Sequence, residues 1–304
     1  MNQFPNLGTR ASPLAMAQAR AVATALEKAH GWPIDSVEIR AIRTSGDRIQ
    51  DRPLAEVGGK ALWTKELDLM LMSGETDFSV HSMKDVESDR PPDFTVAAML
   101  PRADVRDRLI GAATIEALQQ GATVGTSSPR RAAQLLHRRP DLHIMPIRGN
   151  VQTRLDKIER GDAHATLLAA AGLDRLGMAA GNPIALEVML PAPGQAAIGV
   201  ECRTDDRKIR ALLDAINDLP TCRCVAAERA FSRRLGGTCH SPVAALAEVD
   251  GARLRFRADL FSPDGTEWVS EDRMIDTAEE AAGIAAEMLA NAPDSIRAVF
   301  GGAS

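Results

Sequence analysis

Apolar residues along the first two-thirds of the chain follow two alternating rhythms. Short aliphatic or β-branched runs at 36–44 (SVEIRAIRT), 77–82 (DFSVHS), 95–100 (TVAAML), 122–127 (ATVGTS), 142–149 (LHIMPIRG) and 165–170 (ATLLAA) predict strands. Between them, apolar positions at helical spacing predict helices in SPLAMAQARAVATALEKAH, ALWTKELDLMLMSG, PRRAAQLLHRR and VQTRLDKIERG. This alternation implies a doubly wound, largely parallel α/β arrangement. Prolines and charges break it at 99–111 (MLPRADVRDRLIG) and again at 187–203 (EVMLPAPGQAAIGVECR). Past residue 218 the pattern changes. A helix, VAAERAFSRRLG, is followed by alternating runs around Asp250-Gly251 and Asp264-Gly265, which are hairpin signals, and then by an Ala-rich helix over 277–291. This last part reads as a separate α+β domain.

Composition narrows the function without deciding it. The 304 residues suffice for two or three cores, and 45% apolar with 25% charged residues is the make-up of a soluble globular protein. A net charge of −5 argues against general nucleic-acid binding. Residues 101–160 nevertheless carry eleven Arg or Lys against six Asp or Glu, a local +5 suited to an anion. The N-terminus lacks the pattern of a secretory signal, and no apolar run is long enough for a membrane span. The cysteines at 202, 222, 224 and 239 therefore read as reduced thiols of a cytoplasmic protein. Cys222-Arg223-Cys224 has no second pair to complete a zinc site, so no metal is expected.

The candidate chemistry lies where basic residues meet the predicted strand ends. In VGTSSPRRAAQ, Ser127 or Ser128 can cap a helix begun by Pro129, with Thr126 before the cap and Arg130 and Arg131 after it. Helix N–H groups, hydroxyls and guanidiniums together suit a carboxylate or phosphate. IRGNVQTRL repeats the design with Arg148, a Gly149-Asn150 turn and Arg154. GTRASPLA does so with Arg10 and Ser12, and VHSMKDV with His81, Ser82, Lys84 and Asp85. In open α/β sheets the carboxyl ends of the strands line the ligand crevice, so the four turns are expected to converge on a ligand with several anionic groups. No Walker or GxGxxG pattern is present, and scattered single cations suit separated carboxylates. Asp85 is the exception, because a carboxylate repels anions. It makes sense if the ligand carries N–H donors or becomes cationic during reaction; a salt bridge to Lys84 or a nearby arginine is the alternative.

Cys239 stands in RRLGGTCHSPV, between glycines and a proline. A free cysteine is commonly a small buried apolar residue. The glycines argue instead for an exposed loop, where a thiolate can be a nucleophile or an attachment point. The residues alone do not choose between a catalytic thiol, with or without His240, and a covalent tether.

Taken in order, TRASPLA, GDRIQDRPLAEVGGKALWTKELD, DFSVHSMKDV, VGTSSPRRAAQL, IRGNVQTRLDK, AAGLDRLG, LPAPGQAAIGVECR and AAERAFSRRLGGTCHSPV resemble the porphobilinogen deaminase (hydroxymethylbilane synthase) family, from residue 8 to 247. The resemblance implies two doubly wound, periplasmic-binding-protein-like α/β domains plus a smaller α+β domain with an antiparallel sheet. Domain 1 would comprise 1–99 and 195–217, domain 2 100–194, and domain 3 218–304. It implies a transferase of tetrapyrrole and haem biosynthesis that joins four porphobilinogens head to tail, with loss of ammonia, and releases hydroxymethylbilane. Cys239 would hold a dipyrromethane cofactor through a thioether, as primer. Asp85 would hold pyrrole N–H groups, assist loss of the aminomethyl nitrogen and stabilise the azafulvenium cation. Lys84, Ser82, Thr126, Ser127, Ser128, Arg130, Arg131, Gly149 and Arg154 would bind the cofactor. Arg10, Ser12, Arg148, Arg175, Gln195 and Lys60 would bind the substrate, with Lys60 on a segment covering the site and Gln195 at the domain junction. The expected partners are porphobilinogen and the polypyrrole product, with no nucleic acid or membrane, and the protein would be a monomer.

Glu56, Ala61, Trp63, Pro129 and Ala196 depart from the family pattern without removing an expected catalytic group. Two other readings compete. A non-enzymatic solute-binding protein accounts for the basic turns but leaves Asp85, the third domain and the cysteine loop unexplained. A Cys239–His240 hydrolase would need an orienting group and an oxyanion hole, and the sequence shows no sign of either.

Overall fold

A computed structural model describes residues 4–42, 64–236 and 241–300. Its elements run β1 (Asn6–Arg10), α1 (Pro13–His30), β2 (Glu38–Ile42), α2 (Lys65–Ser73), β3 (Phe78–Ser82), a 3-10 turn (Met83–Asp85), β4 (Phe94–Met99), β5 (Asp107–Ile110) and β6 (Thr123–Gly125). They continue with α3 (Pro129–Arg138), β7 (His143–Met145), α4 (Val151–Glu159), β8 (Ala165–Ala169), α5 (Ala170–Arg175), β9 (Asn182–Pro183), β10 (Ile198–Arg203) and α6 (Arg207–Asp214). Last come α7 (Leu219–Arg234), β11 (Val243–Asp250), β12 (Arg253–Phe261), β13 (Trp268–Ile275), α8 (Ala278–Asn291) and α9 (Asp294–Phe300). The chain divides into two compact units, 1–103 with 196–222, and 104–195 with 223–304.

In the first unit the sheet order is β2-β1-β3-β10-β4. Strand β1 runs parallel to β2 and β3, and β10 is antiparallel to both its neighbours. Helix α1 forms because Ala15, Ala19, Val22, Ala23 and Leu26 fall on one buried face, Ser12 accepts from Ala15 N, and Pro13 opens the first turn. That face packs with Leu7, Phe78, Val80, Ile198 and Val200. Each such large side chain contributes on the order of 1.5–3 kcal/mol over its exposed state.

The second unit repeats the topology as β7-β6-β8-β5-β9, with β5 antiparallel to β8 and β9. A separate antiparallel sheet, β11-β12-β13, carries the Asp250-Gly251 and Asp264-Gly265 turns between its strands. It has its own core, in which Phe231 of α7 meets Phe256, Ala258, Ile284 and Met288.

The α/β sheets are thus mixed, not largely parallel. Their antiparallel strands, β5 and β10, follow a crossing of the chain between units and not a strand–helix–strand connection. Neither they nor β1 is apparent from apolar alternation. Strand β10 is buried on both faces, β5 is four residues long with an inward aspartate, and β1 has a single large apolar residue, Leu7.

Ala196, just before β10, is buried with φ +70°. The left-handed region costs an L-residue roughly 1–2 kcal/mol. Glycine there escapes that strain but loses roughly 0.5–1 kcal/mol more chain entropy. Ala196→Gly is therefore expected to raise stability by up to about 1 kcal/mol, seen as a higher thermal midpoint. A midpoint that falls would contradict this account of the turn.

Candidate functional site

Four predicted site residues line one pocket in the first unit: Arg10, Ser12, Ser82 and Asp85, together with Gln18 and His81. Strand β1 ends at Arg10, β3 ends at Ser82, and the 3-10 turn carries Lys84 and Asp85 beyond the sheet edge. Gln18, nearly fully buried on α1, donates from Nε2 to Ser82 Oγ (2.8 Å), and Ser82 Oγ lies 3.1 Å from Gln18 Oε1. This fixes the serine at the pocket wall. The Asp85 carboxylate is half-buried and has no salt-bridge partner among the described residues, so the alternative of a structural salt bridge finds no support there.

In the second unit, Ser128 caps α3, Ser127 Oγ donates to Ile147 O (3.0 Å), and Thr126 Oγ1 accepts from Ser128 N (3.2 Å). Arg130 and Arg131 follow the cap and are nearly fully buried, both gripping Asp107. Arg130 Nη2 donates to Asp107 Oδ2 and Arg131 Nη2 to Oδ1, each at 2.7 Å. Arg130 Nη1 also donates to Leu190 O (2.6 Å), and Arg131 Nη1 to Leu167 O (2.8 Å). Gln195 closes the cluster, donating from Nε2 to Val105 O (2.8 Å) and Asp107 Oδ1 (2.9 Å). Burial acts to raise the Asp107 pKa, but the two guanidiniums outweigh it and hold the carboxyl far below the usual range. Burial pushes the Arg130 pKa down. Two guanidiniums thus share one carboxylate, and Arg130 Nε is buried without a hydrogen-bond partner among the described residues.

The third basic turn holds Arg148, Gly149 and Arg154. Gly149 has φ +116°, and a Cβ there would lie 2.7 Å from Thr153 Cγ2, so only glycine fits. Asn150 caps α4 by accepting from Thr153 N (2.9 Å), and Arg154 Nε donates back to Gly149 O (3.0 Å). Arg175 ends α5, where burial lowers its pKa. Cys239, His240, Lys60, Glu56, Ala61 and Trp63 lie outside the described residues.

Helix α7, which ends five residues before Cys239, is held by the fully buried Glu228. Its carboxylate accepts from Gly194 N (2.6 Å) and Ala247 N (2.8 Å). Sequence reasoning missed Gln18, Asp107, Glu201 and Glu228. For Glu201 and Glu228 the available signal was an acidic residue inside an apolar run, as in IGVECR and VAAERAF, since a charge so placed must be paired. Among the described residues no group of three or more His, Cys, Asp or Glu is arranged to hold a metal, and no helix is long and apolar enough to cross a membrane.

Two α/β sheets of one topology, with hydroxyl- and arginine-bearing turns at their strand ends, define a protein of the α/β class. Residues 6–211 match the family model described as porphobilinogen deaminase, dipyromethane cofactor binding domain, and residues 222–291 match porphobilinogen deaminase, C-terminal domain. The chain belongs to the porphobilinogen deaminase family, whose members are transferases with a dipyrromethane cofactor. It is 55% identical to the porphobilinogen deaminase of Sphingopyxis alaskensis, covering 97% of this chain and 96% of that one. It is 47% identical to that of Paracoccus denitrificans, covering 96% and 98%. Among solved structures, the periplasmic VFT2 domain of Bordetella pertussis BvgS is similar at TM-score 0.41 and 16% identity, covering 75% of this chain and 93% of that one.

Proposed function

We propose that the protein condenses porphobilinogen units head to tail, with Asp85 as its catalytic group and Cys239 as the anchor of the dipyrromethane. The observation that carries this reading is Asp85. It is a carboxylate without an ion-pair partner among the described residues, in a pocket that also holds Arg10 and Ser12. Its charge is placed to accept pyrrole N–H groups and to stabilise positive charge on the ring as the aminomethyl C–N bond breaks. The amine leaves as ammonia, a C–C bond forms to the next ring, and the attacked ring carbon gives up its proton. Arg10 and Ser12 bind the carboxylates of the incoming porphobilinogen, joined by Arg148, Arg175, Gln195 and Lys60.

The residues present suit the cofactor. A surplus guanidinium and the orphaned Arg130 Nε favour an added carboxylate. Arg130, Arg131, Arg154, Lys84, Ser82, Thr126, Ser127, Ser128 and Gly149 would hold it. When bound, the dipyrromethane supplies the nucleophilic pyrrole carbon for the first condensation. The reading includes three domains (1–99 with 195–217, 100–194 and 218–304) and a cytoplasmic monomer that binds neither nucleic acid nor membrane. The separate cores of the second α/β sheet and the antiparallel sheet support the division.

The test is turnover of porphobilinogen by the purified protein. One ammonia per porphobilinogen consumed, with release of a linear tetrapyrrole, is expected. Porphobilinogen that binds without being consumed would overturn the reading in favour of a binding protein.

A further inference from the structure

A buried ionic network in the first unit brackets the turn that carries Asp85. Arg90 Nε and Nη2 donate to Glu201 Oε1 and Oε2 at 2.9 and 2.8 Å, and Nη2 also donates to Asp68 Oδ1 at 2.6 Å. Arg90 Nη1 reaches Glu87 Oε2 (3.3 Å) and Thr64 Oγ1 (3.1 Å). On the far side, Glu201 Oε2 lies 3.3 Å from His81 Nε2, a buried charge contact outside hydrogen-bond geometry. One guanidinium therefore links His81, which precedes Asp85, to Glu87, which follows it. Between these ties, Met83 N donates to Ala197 O (3.1 Å), and the Met83 side chain presses on Gly199, where an added Cβ would overlap Sδ.

Glu201 is fully buried, and Arg90 lies mostly inside. Burial acts to raise the Glu201 pKa, yet His81 and Arg90 outweigh it and hold the carboxyl at about 2. Burial likewise acts to lower the Arg90 pKa, and its bonds to Glu201 and Asp68 raise it instead. Asp68 is pushed up, chiefly by burial. Buried ion pairs add little net stability over apolar packing, so their presence calls for another reason. Here the network fastens both ends of the turn that presents the half-buried Asp85 carboxylate to the pocket.

We propose that Arg90 is a positioning residue for Asp85, acting through Glu201 and His81 on one side of the turn and through Glu87 on the other. The inference rests on Asp85 being the catalytic group. The test uses holoenzyme, with primer loading quantified by intact mass, and measures kcat and KM for porphobilinogen per loaded molecule, well below the melting temperature. Because a misplacement of about 1 Å can cost about 100-fold, Arg90→Gln is expected to lower kcat about 10- to 100-fold with KM changed less than about 3-fold. Glu87→Ala keeps the Arg90–Glu201 pair and is expected to lower kcat by about 3-fold on the same geometric ground. Arg90→Lys, which keeps the charge without the fork, is expected to fall between wild type and Arg90→Gln. A loaded, folded Arg90→Gln enzyme with wild-type kcat would overturn the proposal. If Arg90→Gln does not fold, wild-type kcat in Glu87→Ala overturns it. Retained activity in Asp85→Asn would overturn the assignment of Asp85 itself, and this inference with it.

Discussion

Asp85→Asn is expected to cut porphobilinogen turnover by about 10²- to 10⁴-fold, the usual contribution of a positioned acid–base group, while circular dichroism and the thermal midpoint stay close to wild type. The substitution keeps the shape of the side chain and removes its charge. No ion pair of Asp85 exists among the described residues to be broken, so the fold has little to lose. With the charge goes the only carboxylate among the described residues that line the pocket, and so the counter-charge proposed for the developing pyrrole cation. Near-normal turnover in the variant would remove Asp85 from the mechanism.

Asp107→Ala is expected to do the reverse, acting first on stability. It leaves two buried guanidiniums side by side with no carboxylate between them. Removing one partner from a buried ion cluster typically costs about 3–5 kcal/mol. At about 2–4 °C per kcal/mol for a domain of this size, the midpoint should fall by roughly 6–20 °C. Gln195 would lose an acceptor as well. Asp107→Asn, which keeps an acceptor oxygen, should retain more stability than Asp107→Ala. Denaturation curves for the two variants check this, and an unchanged midpoint in both would mean that the Asp107 cluster does not hold the second unit together.

What the sequence made legible was local. Ser12 with Pro13, and Ser128 with Pro129, announce helix starts within four residues, and both helices begin there. The two Asp-Gly hairpins are equally local signals. The motif-bearing turns of Arg10, Asp85, Arg130 and Arg148 fall at or just beyond strand ends, as an open α/β sheet requires. Pairing across long separations was not legible. Arg130 and Arg131 read as free anion-binding groups, and nothing near them in sequence announces Asp107, more than twenty residues earlier. Glu201 meets Arg90 from 111 positions away. Strands β5 and β10 were hidden because they sit in segments where prolines and charges suppress alternation, and their antiparallel direction follows from chain crossings that leave no periodic trace. Cys239 was legible only as an unusual thiol; the anchor role proposed for it rests on the family resemblance.

The intact mass of the purified protein tests whether Cys239 anchors the dipyrromethane. Wild-type protein should carry the added mass of one dipyrromethane, and Cys239→Ala should have the bare polypeptide mass and no turnover. A wild-type protein that is fully active at its unmodified mass would contradict the account.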